Sequence, residues 1–136
     1  MLNTLQDPLA LIGRILLALI FITSGFGKIT GFEGTVGYIA SKGVPMASLA
    51  AVIAIVVELG GGLAVVFGFM TRWAALALAV FSIAAGVLFH AFWAVPADQV
   101  MNMTIHFWKN VSIAGGFLVL AAFGPGAISI DAKRGH

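Results

Sequence analysis

The sequence predicts an all-α protein, a bundle of four transmembrane helices with both termini on one side of the membrane. The 136 residues are 61% hydrophobic and only 9% charged, whereas a soluble domain carries roughly 25% charged residues. Four apolar stretches are long enough to cross a hydrocarbon core about 30 Å thick. Strands are not expected, because an open sheet cannot satisfy its edges in lipid.

The chain is predicted to form a single membrane domain, residues 1–136, whose spans cover approximately residues 8–29, 47–69, 73–93 and 105–123. A secretory signal peptide is the competing interpretation of the first span. It is disfavoured because no Lys or Arg precedes the apolar run and Arg14 interrupts it. The glycine-rich connector 30–45 has room for an interfacial turn of helix, and residues 128–136 form a short polar tail.

The loop cations predict the orientation. Arg72, Lys133 and Arg134 lie on the side of the termini, whereas Lys42 lies in the connector on the opposite side. Cytoplasmic loops carry an excess of Lys and Arg, so this distribution favours termini in the cytoplasm. Since no basic run or stripe occurs, we expect the lipid bilayer, and not nucleic acid, to be the chain's general partner.

Glu58 lies near the middle of the second span, among apolar residues. An unpaired charge at this depth costs about 3 kcal/mol or more. Arg14, from the side of the termini, and Lys109, from the other side, are the candidate partners. Such a pair would either fix helix register or belong to a functional site. Gly60–Gly62 follow the acid and predict close approach of a neighbouring helix, since small residues let backbones meet in lipid.

Polar residues gather in the half of the bundle opposite the termini, and they predict a pocket open to that face with Glu58 at its floor. Its candidate members are Lys28, His90, His106, Lys109 and Asn110. Each member has a structural alternative. Either histidine alone fits an interfacial side chain, Lys28 fits a snorkelling anchor, and the aromatic residues near Trp93 and Trp108 fit an interfacial belt.

The sequence contains no cysteine. Disulfides, thiolate metal sites and iron–sulfur clusters are therefore excluded within the chain, and we predict no metal site and no intrinsic cofactor. His90 and His106 on adjacent helices raise the question of haem, which four-helix bundles bind through facing histidines. Glu58 and Lys109 are unusual neighbours for a porphyrin, so haem is not favoured.

Five segments resemble the DoxX family of small bacterial membrane proteins. They are GRILLALIFITSGFGKI, VELGGGLAVVFGFMTRWAALALA, FHAFW, FWKNVSIAGGFLVLAAFGPG and SIDA, and they occur in the family's order over nearly the whole chain. The resemblance implies a multi-pass protein of the bacterial inner membrane. It also implies an association with oxidoreductases, because the family takes its name from a small subunit associated with an archaeal terminal oxidase and includes chains of a thiosulfate:quinone oxidoreductase.

The leading hypothesis is a quinone-type redox-ligand-binding or anchoring subunit of a membrane oxidoreductase system. Whether the chain is itself an enzyme stays open, because it has no cysteine or flavin motif and its electrons would come from a redox partner subunit. The candidate catalytic residues are Glu58, as proton carrier, and His90. The candidate ligand-binding residues are Arg14, Lys28, Phe89, His106, Trp108, Lys109 and Asn110.

Two other hypotheses remain. In the first, the chain is a non-catalytic assembly or anchor protein, its glycine-rich helix faces form a homo-oligomer, and Glu58 is a structural ion pair. In the second it is a small transporter, with Glu58 and Arg14 lining the path. No inverted repeat or broken helix pair supports transport.

Overall fold

The structure is a computed structural model that describes residues 2–135. A 3-10 turn, Leu2–Leu5, precedes six helices, and no strand occurs in this range, which confirms the all-α prediction. The helices are α1 (Gln6–Thr30), α2 (Phe32–Ser41), α3 (Ala47–Phe67), α4 (Thr71–Phe89), α5 (Val100–Phe123) and α6 (Ile130–Lys133). Met1, and His136 at the end of the predicted tail, lie outside the described residues.

Within the described chain, four helical segments are long and apolar enough to cross a membrane, and they contain α1, α3, α4 and α5. The predicted four-helix transmembrane bundle is therefore confirmed. The third span is helical only to Phe89, so Trp93 lies in a separate 3-10 turn, Phe92–Ala94. The fourth span begins at Val100, earlier than predicted.

A π-helical turn interrupts α3. The α-helix Ala47–Ile55 leads into the π-helical residues Val56–Gly60, and the α-helix resumes at Gly61–Phe67. Such turns occur mostly as single insertions in α-helices, frequently at functional sites. Glu58 lies in the middle of this turn, a local geometry that the sequence did not predict.

The core joins all four spanning helices. It includes Ala18 and Phe21 of α1, Val65 of α3, Leu78 of α4 and Phe117 of α5, and all five side chains are buried. Edge-to-face packing of the Phe21 and Phe117 rings, with centroids 5.5 Å apart, links α1 to α5. This core lies below the level of Glu58, towards the termini.

Two of the three glycines after Glu58 lie against neighbouring helices. A Cβ atom on Gly62 would lie 2.8 Å from Ile22 Cγ1 of α1, and one on Gly61 would lie 3.2 Å from Leu78 Cγ of α4. Gly60 has no such neighbour within 4 Å. The predicted close approach is confirmed at Gly61 and Gly62, and it occurs within the chain. A homo-oligomer through glycine-rich faces stays a prediction.

The tail folds back against the bundle. The Asp131 carboxylate accepts hydrogen bonds from the backbone amides of Met70 and Thr71, both at 2.8 Å, at the start of α4. At the other terminus, Asp7 Oδ1 accepts from the Ala127 amide at 3.0 Å. The beginning and the end of the chain therefore meet, as predicted, at one face of the bundle. The cytoplasmic assignment of that face stays a prediction.

Candidate functional site

A cavity of about 730 Å³ lies between the helices in the half of the bundle opposite the termini. It extends from Glu58 to Val44 and His90. Its polar lining includes Ser24, Lys28, Glu58, Ser82, His90 and Asn110, and its aromatic lining consists of Phe21, Tyr38, Phe81 and Phe89. Most of the remaining wall is aliphatic, so the cavity is an apolar space with a few converging polar groups, as is usual for small-molecule sites.

Glu58 forms an ion pair with Lys28 of α1. Lys28 Nζ lies 2.9 Å from Glu58 Oε2 and 3.1 Å from Oε1, and it donates a third hydrogen bond to Ser24 Oγ at 2.7 Å. Ser24 Oγ in turn donates to Glu58 Oε1 at 3.4 Å. The carboxylate is therefore satisfied from α1 alone. The prediction that Arg14 or Lys109 pairs with Glu58 is wrong.

Gly25 explains why Lys28 reaches the acid. A Cβ atom at Gly25 would lie 3.0 Å from Leu59 N and 3.3 Å from Glu58 Cβ, so the backbone of α1 lies directly on the π-helical turn. Lys28 is three residues further along, about 4.5 Å higher at the helical rise. Its flexible side chain extends back over that distance to Glu58. The alternative prediction, a snorkelling anchor at the membrane surface, rested only on the position of Lys28 near the end of the span.

Arg14 lies at the face of the termini, away from Glu58. Its side chain is buried, and it donates to the carbonyl oxygen of Val65 at 3.3 Å and to that of Ile128. Asp131 lies close enough to interact with it electrostatically. Arg14 thus joins the tail to α1 and α3 at the face of the termini, and it does not line the cavity.

The wall opposite the ion pair is formed by α4 and α5. Asn110 Nδ2 donates to the carbonyl oxygen of Ser82 at 3.0 Å, and Ser82 Oγ donates to the Leu78 carbonyl oxygen at 2.8 Å. Gly86 permits this contact, since a Cβ atom there would lie 3.4 Å from Asn110 Cβ. Asn110 consequently presents an amide to the cavity from a well-packed helix pair.

Two ring pairs lie near the open end. The His90 and His106 imidazoles stack with centroids 5.1 Å apart, and Tyr38 of α2 stacks on Phe89 with centroids 5.6 Å apart. Buried His90 Nδ1 has no hydrogen-bond partner among the described residues. The predicted absence of haem stays a prediction.

The predicted site residues thus fall into separate places. Glu58, Lys28, Phe89, His90 and Asn110 line the cavity. His106 does not line the cavity, but its imidazole stacks on that of His90. Two others, Lys109 and Trp108, line a groove on the surface of α5.

Comparison with known proteins decides the family. The sequence profile of the DoxX family matches residues 9–91, more than half of the chain, from α1 to the residue after His90. The chain belongs to the DoxX family. The matched range contains Lys28, Glu58 and His90, whereas Asn110 lies beyond it.

Two Escherichia coli relatives cover nearly the whole DoxX chain. Inner membrane protein YphA is 50% identical over 94% of this chain and 91% of its own length, and inner membrane protein YqjF is 48% identical over 93% and 92%. Putative oxidoreductase CatD of Bacillus subtilis is 39% identical over 43% of this chain and 42% of its own. No solved structure gives a significant match. With its four spanning helices, this DoxX protein is a multi-pass protein of the inner membrane.

Sequence reasoning missed several residues of this DoxX cavity, among them Ser24, Ser82 and Tyr38. Ser24 and Ser82 lie on polar stripes of α1 and α4 but were not assigned to the site. Their signal was the spacing that places Ser24 one turn before Lys28, and Ser82 two turns before His90. Tyr38 lies in the connector, where no periodicity distinguished it.

Proposed function

We propose that this DoxX-family protein binds a quinone-type redox ligand in the cavity beside Lys28 and Glu58, as the ligand-binding or anchoring subunit of a membrane oxidoreductase system. One observation carries the proposal: an ion pair faces a largely apolar cavity of about 730 Å³ inside a membrane-spanning bundle. An ionisable side chain within a membrane span is, by default, a candidate functional residue.

The cavity chemistry matches a quinone ring. Its volume falls within the range of roughly 300–1,000 Å³ typical of small-molecule sites. The Lys28 ammonium and the Asn110 amide are donors suited to carbonyl oxygens, and they come from helices on different sides of the cavity. Phe81 and Phe89 supply apolar faces against which a flat ring packs.

The charged pair also suits proton exchange. Reduction of a quinone to its quinol consumes two electrons and two protons, one proton for each carbonyl oxygen. In this proposal Glu58 and Lys28 hold and pass protons at one carbonyl, and His90 serves the open end of the cavity. The electrons come from a redox partner subunit. The oxidoreductase name of the CatD relative supports this assignment.

A structural role for the ion pair supports the second candidate, a non-catalytic assembly or anchor protein. Both Glu58 oxygens already have hydrogen-bond partners within the chain. A pair that is satisfied in this way fixes the register of α1 against α3 without any ligand.

Ligand titration separates the two candidates. The protein is reconstituted in lipid nanodiscs, and its melting temperature and Kd are measured with decylubiquinone for the wild type and for Glu58→Gln. The matched control is Asp98→Asn, the same chemical change at an exposed loop position. We expect the quinone to raise the melting temperature of the wild type and of Asp98→Asn, and to raise that of Glu58→Gln much less. An unchanged wild type refutes quinone binding and favours the anchor role.

A further inference from the structure

The helices α1 and α5 touch at the level of Gly116. A Cβ atom on Gly116 of α5 would lie 3.1 Å from Leu17 Cδ2 of α1, and the Phe21–Phe117 ring pair lies at a similar level. Over their whole length, α1 and α5 lie much less closely together than α4 and α5 do. The Leu17–Gly116 contact therefore closes this side of the bundle in its lower half.

On α5, the stripe that meets α1 continues upwards. Gly116, Ile113 and Lys109 are spaced by three and four residues and so lie on one helix face. Gly116 contacts Leu17, but Ile113, one turn higher, borders the cavity. Ile113 also borders a surface groove of about 570 Å³, which it forms with Thr104, Ile105, Trp108, Lys109 and Ser112. Ile113 is thus common to the walls of both spaces.

On α1, Ile20 is the matching residue. It lies three residues beyond Leu17, about 4.5 Å higher, which is close to the height of Ile113 on the antiparallel α5. Ile20 lines the cavity, yet 55% of its surface is exposed. Ile20 and Ile113 therefore lie at similar heights on two helices that both border the cavity.

We propose that the gap between Ile20 and Ile113 is a lateral portal, and that the α5 groove holds the hydrocarbon tail of a ligand whose polar ring lies beside Lys28 and Glu58. This inference rests on the proposed function and specifies its ligand class: a quinone with a long lipophilic tail, drawn from the bilayer, and not a water-soluble quinone. The continuity of cavity and groove at Ile113 supports a single occupant of both.

A pair of quinones tests the portal. In lipid nanodiscs, the Kd is measured for decylubiquinone and for the same ring without its tail. The variant Ile113→Trp narrows the portal, and Leu118→Trp is the control, because Leu118 is an exposed residue on the far side of α5. We expect the wild type to bind the tailed quinone more tightly. Ile113→Trp weakens its binding about tenfold, the effect of losing two buried methylenes, and weakens binding of the tail-less ring several-fold less, because Ile113 also borders the cavity. Leu118→Trp changes neither.

Four results overturn the inference, and they are distinguishable. If the wild type binds both quinones equally, the tail has no site on the protein, although the proposed function stands. If Ile113→Trp weakens the binding of both quinones equally, Ile113 is only part of the cavity wall. If it weakens the binding of neither, Ile113 does not take part in binding. If the wild type binds neither quinone, the proposed function fails and the inference fails with it.

A second measurement uses the wild type and does not depend on the folding of a variant. A quinone that carries a photoreactive diazirine at the end of its tail is bound and illuminated, and the crosslinked peptides are identified by mass spectrometry. We expect crosslinks in residues 104–113 of α5, competed by excess decylubiquinone. Crosslinks confined to α2 or to the connector after it would place the tail at the open end of the cavity and overturn the portal.

Discussion

Lys28 Nζ contacts both carboxylate oxygens of Glu58, at 2.9 and 3.1 Å, across the contact between α1 and α3. The two side chains are unequally buried: 25% of Lys28 is exposed but only 6% of Glu58. Loss of the partner therefore leaves Glu58 with a buried charge, whereas a partly exposed Lys28 can turn its ammonium towards water.

Removal of Lys28 should therefore destabilise the protein more than neutralisation of Glu58. Lys28→Met leaves a buried, uncompensated carboxylate, and we expect a loss of about 3 kcal/mol in unfolding free energy. Glu58→Gln should cost less, because Lys28 can reach water. The double variant should recover part of the Lys28→Met loss. Thermal unfolding in lipid nanodiscs measures all three. Equal losses in the two single variants would contradict the unequal burial.

A methyl group at Gly25 should displace the π-helical turn. The added Cβ would lie 3.0 Å from Leu59 N and 3.1 Å from Leu59 Cβ, closer than the backbone there can accept. We expect Gly25→Ala to lower the melting temperature and to weaken quinone binding, since Glu58 moves with the turn. Gly13→Ala is the control on the same helix, where the added atom meets nothing within 4 Å. A Gly25→Ala variant that melts like Gly13→Ala would show that α1 is not seated on Glu58.

The tail should stabilise the fold through Asp131. This carboxylate caps α4 at two backbone amides and lies near buried Arg14. Loss of a cap typically costs about 1 kcal/mol and up to about 2, and Arg14 loses a counter-charge, so we expect Asp131→Ala to cost about 2 kcal/mol or more in chemical denaturation. Lys133→Ala, an exposed change in the same helix, should stay within about 0.5 kcal/mol. If Asp131→Ala also lost no more than about 0.5 kcal/mol, Asp131 would not hold the tail to the bundle.

Asn110 should contribute more to ligand binding than to stability. Its amide donates to a Ser82 carbonyl oxygen within α4, and such interhelical bonds in membranes average about 0.6 kcal/mol. We expect Asn110→Leu to melt within a few degrees of the wild type but to bind decylubiquinone several-fold more weakly, whereas Asn102→Leu, at an exposed position on α5, changes neither. Unchanged affinity in Asn110→Leu would remove Asn110 from the ligand's surroundings.

The four spans and the half of the bundle that holds the polar residues could be predicted, because hydrophobic length and helical spacing are local properties of the sequence. The partner of Glu58 could not. It depends on which turn of α1 rests on which turn of α3, and that register is set by Gly25 against Leu59 and by Gly62 against Ile22. The sequence does not show which glycine lies against which neighbouring residue until both helices are placed.

The positions of Trp108 and Lys109 show a second limit of the sequence. Both share the depth of Asn110, which made them candidates for the same pocket. Depth does not specify direction around the helix: Asn110 faces α4, whereas Trp108 and Lys109 line the groove on the outer surface of α5. The tail was predicted only as a polar segment, and its helix was not, because four helical residues, Ile130–Lys133, are too few to give a periodic signal.

Analysis of the quinone that purifies with the protein tests the central claim most directly. The wild type, Glu58→Gln and Asp98→Asn are extracted from native membranes into nanodiscs, washed, and analysed by mass spectrometry of the organic extract. The account predicts a stoichiometric quinone in the wild type and in Asp98→Asn, and its loss from Glu58→Gln. A wild type without quinone, or a Glu58→Gln variant that retains as much quinone as the wild type, would contradict a quinone site at the Lys28–Glu58 pair.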